Sequence, residues 1–244
     1  MTAEMKSRLR RSTRTLLEKD GAPGPGPGKI ALVMARAGVG KTAFMVGVGL
    51  DAMLSGQKVL HVTVDRPVEK VRTWYDDLLA EMMREQHADV SRVEVQLEIE
   101  RLRHIRTFMG HSFSPERLDE FVTKLGAFAD FKPDVIILDR LGMEKPEVRA
   151  MVPAIRAIAE RSGAEVWMSF RWHREGPPEK PGHLPPPADE IEEHVDLAFL
   201  LKHDGTGVRL TLLKDRDRIG RQSMHALLDP TTLLLVPDPA APSA

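Results

Sequence analysis

The sequence predicts an α/β fold: a three-layer domain with a mostly parallel central sheet and antiparallel strands toward the C-terminus. Three observations carry this. The apolar run 30–34 breaks into a small-residue loop and is followed by an apolar helix. A second run, 135–138, has the length of a fully buried strand and ends in Asp139. Beyond residue 196, short apolar runs alternate with turn residues, as hairpins do. The 244 residues suit one such domain with appendages, and a 42% hydrophobic content is enough for a sizeable core.

In chain order, residues 1–28 read as a basic arm, with Lys6, Arg8, Arg10, Arg11 and Arg14, followed by a Pro/Gly linker. Leu9, Leu16 and Leu17 fit one side of a short helix in that arm. The main domain is expected over 29–236. Its first strand, 30–34, leads through the loop 35–40 into a helix reaching at least Leu50. A turn at 55–58 precedes the β-branched strand 59–64, which Asp65-Arg66-Pro67 ends. Val71, Trp74, Tyr75, Leu78, Leu79, Met82 and Met83 then recur at helical spacing, predicting a helix over 68–85. Residues 91–102 are charged and helical or irregular, and a short strand is expected at 105–109. Ser114-Pro115-Glu116 is an N-cap followed by Pro at the first helical position, and that helix runs to about Phe128.

After the 135–138 strand, a helix over 146–161 would turn Val148, Met151, Ile155 and Ile158 inward. Residues 165–169 read as another buried strand. The Pro-rich stretch 177–187 predicts a mobile loop beside the site, with a short helix at 189–194 after it. Hairpins are expected at 197–202 with 208–213, and at 225–228 with 233–236. Residues 237–244 read as a tail.

The first strand–loop–helix carries the chemistry. Ala35-Arg-Ala-Gly-Val-Gly-Lys-Thr-Ala43 fits the phosphate-binding pattern G-x-x-x-x-G-K-[ST] except at its first position, where Ala35 replaces Gly. Backbone N–H groups of 35–43 would cradle a polyphosphate at a helix N-terminus. Lys41 would reach its β- and γ-phosphates, and Thr42 would hold Mg²⁺. Ala35 fits only if its backbone is not at positive φ, or is strained there, since a Cβ disfavours positive φ. A hydrophobic strand ending in Asp139 is the matching Walker B pattern, in which the carboxylate orients Mg²⁺ and its waters. ATP and Mg²⁺ are therefore the expected ligands.

Composition narrows the alternatives. A formal charge of −1 argues for no dedicated nucleic-acid or membrane surface. The absence of Cys excludes disulfides and cysteine zinc sites, and the nine His form no H-E-x-x-H pattern. No apolar run approaches the ~20 residues needed to cross a bilayer, and the N-terminus lacks an apolar signal core, so a cytoplasmic protein is expected.

The order of these motifs over about residues 28–236 resembles the RecA-like P-loop ATPases, most closely the branch of RadA, KaiC and the DnaB-type helicases. The resemblance implies several roles. Asp65, ending the second strand, stands where the family has a catalytic Glu that polarises the attacking water. Arg171 or Ser169, after the 165–169 strand, stands near the family's γ-phosphate sensor. Lys214 and Arg216 match its K-x-R motif, which reaches the neighbouring subunit's γ-phosphate as an arginine finger, with Arg218 in reserve. The family works as ring or filament homo-oligomers, often on DNA.

Two other readings stand beside this one. Arg36 occupies the place of the signature Lys in the ParA/MinD loop, although Leu138-Asp-Arg-Leu-Gly142 lacks that group's proline-rich switch. With Ala35 and Asp65 both off pattern, the chain also fits a nucleotide-binding regulatory or scaffold protein with little turnover.

Overall fold

Strand β1 (Ile30–Ala35) is buried at all six positions, so both sides of it must be covered. The computed structural model, which describes Leu17 and residues 24–85, 91–172, 178–205 and 207–239, shows how. Ala31, Val33 and Ala35 turn to one side of the sheet, and Ile30, Leu32 and Met34 to the other, each into its own apolar cluster. Helices α1 (Lys41–Leu54), α2 (Val68–Glu85) and α3 (Arg92–Leu102) cover the first side. Helices α4 (Pro115–Ala129), α5 (Pro146–Arg149) and α6 (Val152–Ser162), with a 3₁₀ helix at Ala188–His194, cover the second. This is the expected three-layer α/β arrangement.

Nine strands form one sheet in the order β3-β2-β4-β5-β1-β6-β7-β8-β9. The six from β3 to β6 are parallel: β2 (Val59–Val64), β3 (Arg103–Phe108), β4 (Val135–Asp139), β5 (Glu165–Arg171) and β6 (Leu197–His203) with β1. Antiparallel β7 (Val208–Asp215), β8 (Arg218–Leu228) and β9 (Leu235–Pro237) complete it. Chain leaving β1 crosses to the α1 side and chain leaving β4 crosses to the α6 side. Only β5 separates these two strands, so a crevice opens between their carboxyl ends, where ligands bind in open α/β sheets.

Close packing of α1 explains one of its glycines. A Cβ at Gly49 would meet the Tyr75 hydroxyl oxygen at 2.5 Å, so α2 can approach only a glycine there. Tyr75 is hydrogen-bonded at 3.0 Å to Nδ1 of His61, a fully buried residue of β2 whose imidazole burial pushes down to about 4.

Several expectations change. The helix expected over 146–161 is two pieces, with Ala150 and Met151 in a turn. Pro153 has no N–H to donate to the Arg149 carbonyl, and its ring crowds that position. The strand expected at 105–109 begins at Arg103, and the stretch 91–102 is a helix capped by Ser91. The final hairpin is larger than expected. β8 starts at Arg218 and pairs along β7, although much of it is exposed and polar. Residue 237 belongs to β9 rather than to a tail, and Asp238 is buried in an ion pair with Arg209.

The Pro-rich stretch is irregular where it is described, yet not loose. Leu184 is fully buried and its N–H donates to the Glu192 carboxylate at 2.9 Å. Pro181 and Pro185 border Leu213 and Ile219 near the β7–β8 turn, away from the β1–β4 crevice, while 173–177 lie outside the described residues. Of the basic arm, Leu17 is described; it is helical and buried in the α1-side cluster. The remaining arm residues named above lie outside the described residues.

Candidate functional site

The crevice at the carboxyl ends of β1, β4 and β5 is a cavity of about 460 Å³, within the range of small-molecule sites. The loop leaving β1 forms one wall. Ala35 is the last residue of the strand and has no positive φ, which is why Ala is tolerated where the pattern asks for Gly. The left-handed positions fall at Gly38 (φ 78°) and Gly40 (φ 107°). At Gly40 a Cβ would also meet Leu228 Cδ2 of β8 at 2.4 Å, so a larger residue there would have to displace the Leu228 side chain. The first bond of α1 runs from the Phe44 N–H to the Gly40 carbonyl at 3.0 Å. The N–H groups of Lys41, Thr42 and Ala43 therefore have no partner inside the helix, and the helix dipole adds positive potential there.

Lys41 and Thr42 line the cavity. The Lys41 ammonium donates to the carbonyls of Ala35 (2.8 Å) and Arg36 (2.9 Å), curled over its own loop. Burial pushes it down to about 8; Asp139 opposes that shift, and Arg171 adds to it. The Thr42 hydroxyl donates to Asp139 Oδ2 at 2.9 Å, joining positions 97 residues apart in sequence. Two hard oxygen donors side by side suit Mg²⁺, which binds through a few protein oxygens and keeps several waters. Among the described residues there is no cluster of three His, Asp or Glu able to hold a metal unaided.

Of the other expected residues, Ala37 and Arg171 line the cavity, as does Ser169, whose hydroxyl accepts the Arg140 N–H at 3.0 Å. Arg36 is exposed and Val39 is partly buried, and neither is part of the lining. Asp65 is not part of it either. Its backbone is left-handed (φ 52°), and its Oδ1 accepts the Gly110 N–H at 2.6 Å, tying the end of β2 to the loop after β3.

Lys214 and Arg216 lie at the other edge. Asp215 is level with Leu197, and Leu197 with Ala31, so the β7–β8 turn stands roughly 13 Å of strand below the end of β1. Lys214 is buried and donates to the Glu192 carbonyl. Arg216 is exposed, left-handed (φ 53°) and paired with Asp215 at 2.7 Å. Neither is part of the cavity lining.

Sequence reasoning missed four cavity residues that matter: Arg66, Trp74, Arg140 and Glu144. In the sequence, Arg66 marks only a strand end and Trp74 only a helix position. Gly142 was the available signal for Glu144. With φ 79°, it reverses the chain after β4, and the Gly142 carbonyl accepts the Lys145 N–H at 2.9 Å.

No protein-family model matches this chain, and a search of curated proteins finds no match.

Proposed function

We propose that the chain binds ATP with Mg²⁺ in this cavity and hydrolyses it, as a RecA-like domain working in a homo-oligomer. The observation that carries the reading is the 2.9 Å contact of Thr42 with Asp139 beside Lys41, at a helix N-terminus lining a cavity of suitable size. Cation and hydroxyl come from the start of α1 and the carboxylate from the end of β4, and this combination suits a metal-bound polyphosphate. Lys41 would leave the loop carbonyls for the β- and γ-phosphates. Thr42 and Asp139 would hold Mg²⁺, which supplies charge neutralisation on the transferring phosphoryl group. Arg171 and Arg140 would bind phosphate oxygens from the β5 and β4 sides. Arg216 would act on a neighbour's nucleotide, because it cannot reach its own.

A second reading, a regulatory nucleotide binder with little turnover, is favoured by the position of Asp65 outside the cavity. Steady-state phosphate release separates the two, measured across protein concentrations without nucleic acid, with single-stranded DNA and with double-stranded DNA. Turnover rising with protein concentration supports the oligomeric hydrolase, and stimulation by either DNA identifies what it works on. ATP binding without measurable phosphate release in every arm would favour the regulatory reading.

A further inference from the structure

We infer that Glu144, on the loop after β4, is the carboxylate that activates the attacking water. This inference rests on the proposed hydrolysis. Among the described residues lining the cavity, the carboxylates are Asp139 and Glu144, and no histidine lines it. Asp139 accepts the Thr42 hydroxyl and so belongs to the metal side of the site. Asp65, the carboxylate that sequence position suggests, is held by the Gly110 N–H and does not face the cavity. A general base must stand within hydrogen-bond reach of its water, directly or through one further water, so geometry selects Glu144.

The loop that carries Glu144 is held firmly. Arg140 (φ 63°) and Gly142 (φ 79°) turn the chain back after β4. Arg149, almost fully buried, donates through Nη1 to the carbonyls of Glu144 (2.7 Å) and Met143 (3.3 Å). Its Nε and Nη2 pair with the two Glu190 oxygens at 2.7 and 3.0 Å. A planar guanidinium thus fixes the backbone on both sides of the Glu144 Cα, while the partly buried side chain is left to the cavity. In the reaction, Glu144 takes a proton from water as the water oxygen bonds to the γ-phosphorus. The bond from that phosphorus to the β–γ bridging oxygen breaks, ADP leaves with the bond's electrons, and the proton passes from Glu144 to solvent.

The test compares Glu144→Gln, Glu144→Asp and Asp65→Asn with the parent in ATP-analogue binding, Mg²⁺ titration and single-turnover phosphate release. Glu144→Gln should lower the hydrolytic rate on the order of 10²–10⁴-fold while keeping analogue affinity and Mg²⁺ requirement near the parent's. Glu144→Asp should fall between the two, and Asp65→Asn should stay within a few-fold of the parent. Parental turnover in Glu144→Gln, or its loss in Asp65→Asn alone, would overturn the assignment and leave the hydrolase reading standing. A changed Mg²⁺ requirement in Glu144→Gln would also overturn it by making Glu144 a metal-site residue. A parent that binds no ATP would instead defeat the underlying function.

Discussion

The two edges of the parallel sheet are built on different plans. At the carboxyl edge, chain ends from β1, β4 and β5 converge, and Lys41, Thr42, Asp139 and Arg171 surround one cavity. At the opposite edge the polar groups are engaged with backbone and with each other. Asp196 Oδ2 accepts the Ile30 N–H at 2.8 Å and also the Arg156 guanidinium, and the Asp196 carbonyl accepts the Arg216 N–H at 2.6 Å. One residue there, through its carboxylate and its carbonyl, pins the start of β1, the start of β6 and the β7–β8 turn together. Strand direction causes the difference. Parallel strands deliver all their C-terminal loops to one edge, whereas antiparallel β7 runs back and leaves Lys214 and Arg216 at the other. One edge holds the cavity, and in the proposed homo-oligomer the other would contribute only across a boundary between copies of the chain.

The largest expected effect tests that boundary. If Arg216 serves a neighbour, Arg216→Ala should cut turnover about 10³-fold with ATP binding kept, and mixing it with Lys41→Ala should restore part of the rate. If Arg216 only pairs with Asp215, the change is worth about 0–1 kcal/mol of stability and leaves turnover alone. Steady-state rates of the separate and mixed variants, measured at several protein concentrations, decide between the edges acting jointly and acting alone.

A smaller effect is expected inside the cavity. Thr42→Ala and Asp139→Ala should each raise the Mg²⁺ concentration needed for tight ATP binding, on the order of 10–100-fold. Metal titrations of nucleotide affinity measure this. Parental Mg²⁺ dependence in both variants would reduce the Thr42–Asp139 contact to a packing feature.

The smallest effect comes from Lys41 titration. Its ammonium is held down to about 8 by burial, and a bound polyphosphate would raise that value, so binding takes up protons. ATP affinity should be full below pH 8 and fall as pH rises through 8, by at most about tenfold per pH unit. Calorimetric titrations in two buffers of different ionisation enthalpy would show the proton uptake, and Lys41→Ala should show none.

The parallel half of the fold was largely legible because its strands are continuous apolar runs and α2 keeps strict helical spacing. β2 and α2 fall at their expected bounds. β8 was legible only at its C-terminal end, since its exposed polar residues carry no apolar alternation and pairing with β7 holds them in place. The break at Pro153 was visible in the sequence, but the apolar spacing across it argued for continuity. Within the site, Lys41, Thr42 and Asp139 were legible because local spacing dictates where they point. Glu144, Arg66 and Trp74 were not, because their approach depends on how separate loops fold over the crevice. Asp65 shows the converse: its place at a strand end was right, and a single hydrogen bond to Gly110 turns it elsewhere.

The central claim is that the carboxyl-edge cavity binds Mg²⁺-ATP through Lys41. An equilibrium titration of a fluorescent ATP analogue, with Mg²⁺ near pH 7, against the parent and Lys41→Ala tests it most directly. The account predicts saturable binding to the parent, and for a folded Lys41→Ala protein with an unchanged melting temperature, affinity too weak to measure. Equal affinity in the two proteins, or no binding to the parent, would contradict it.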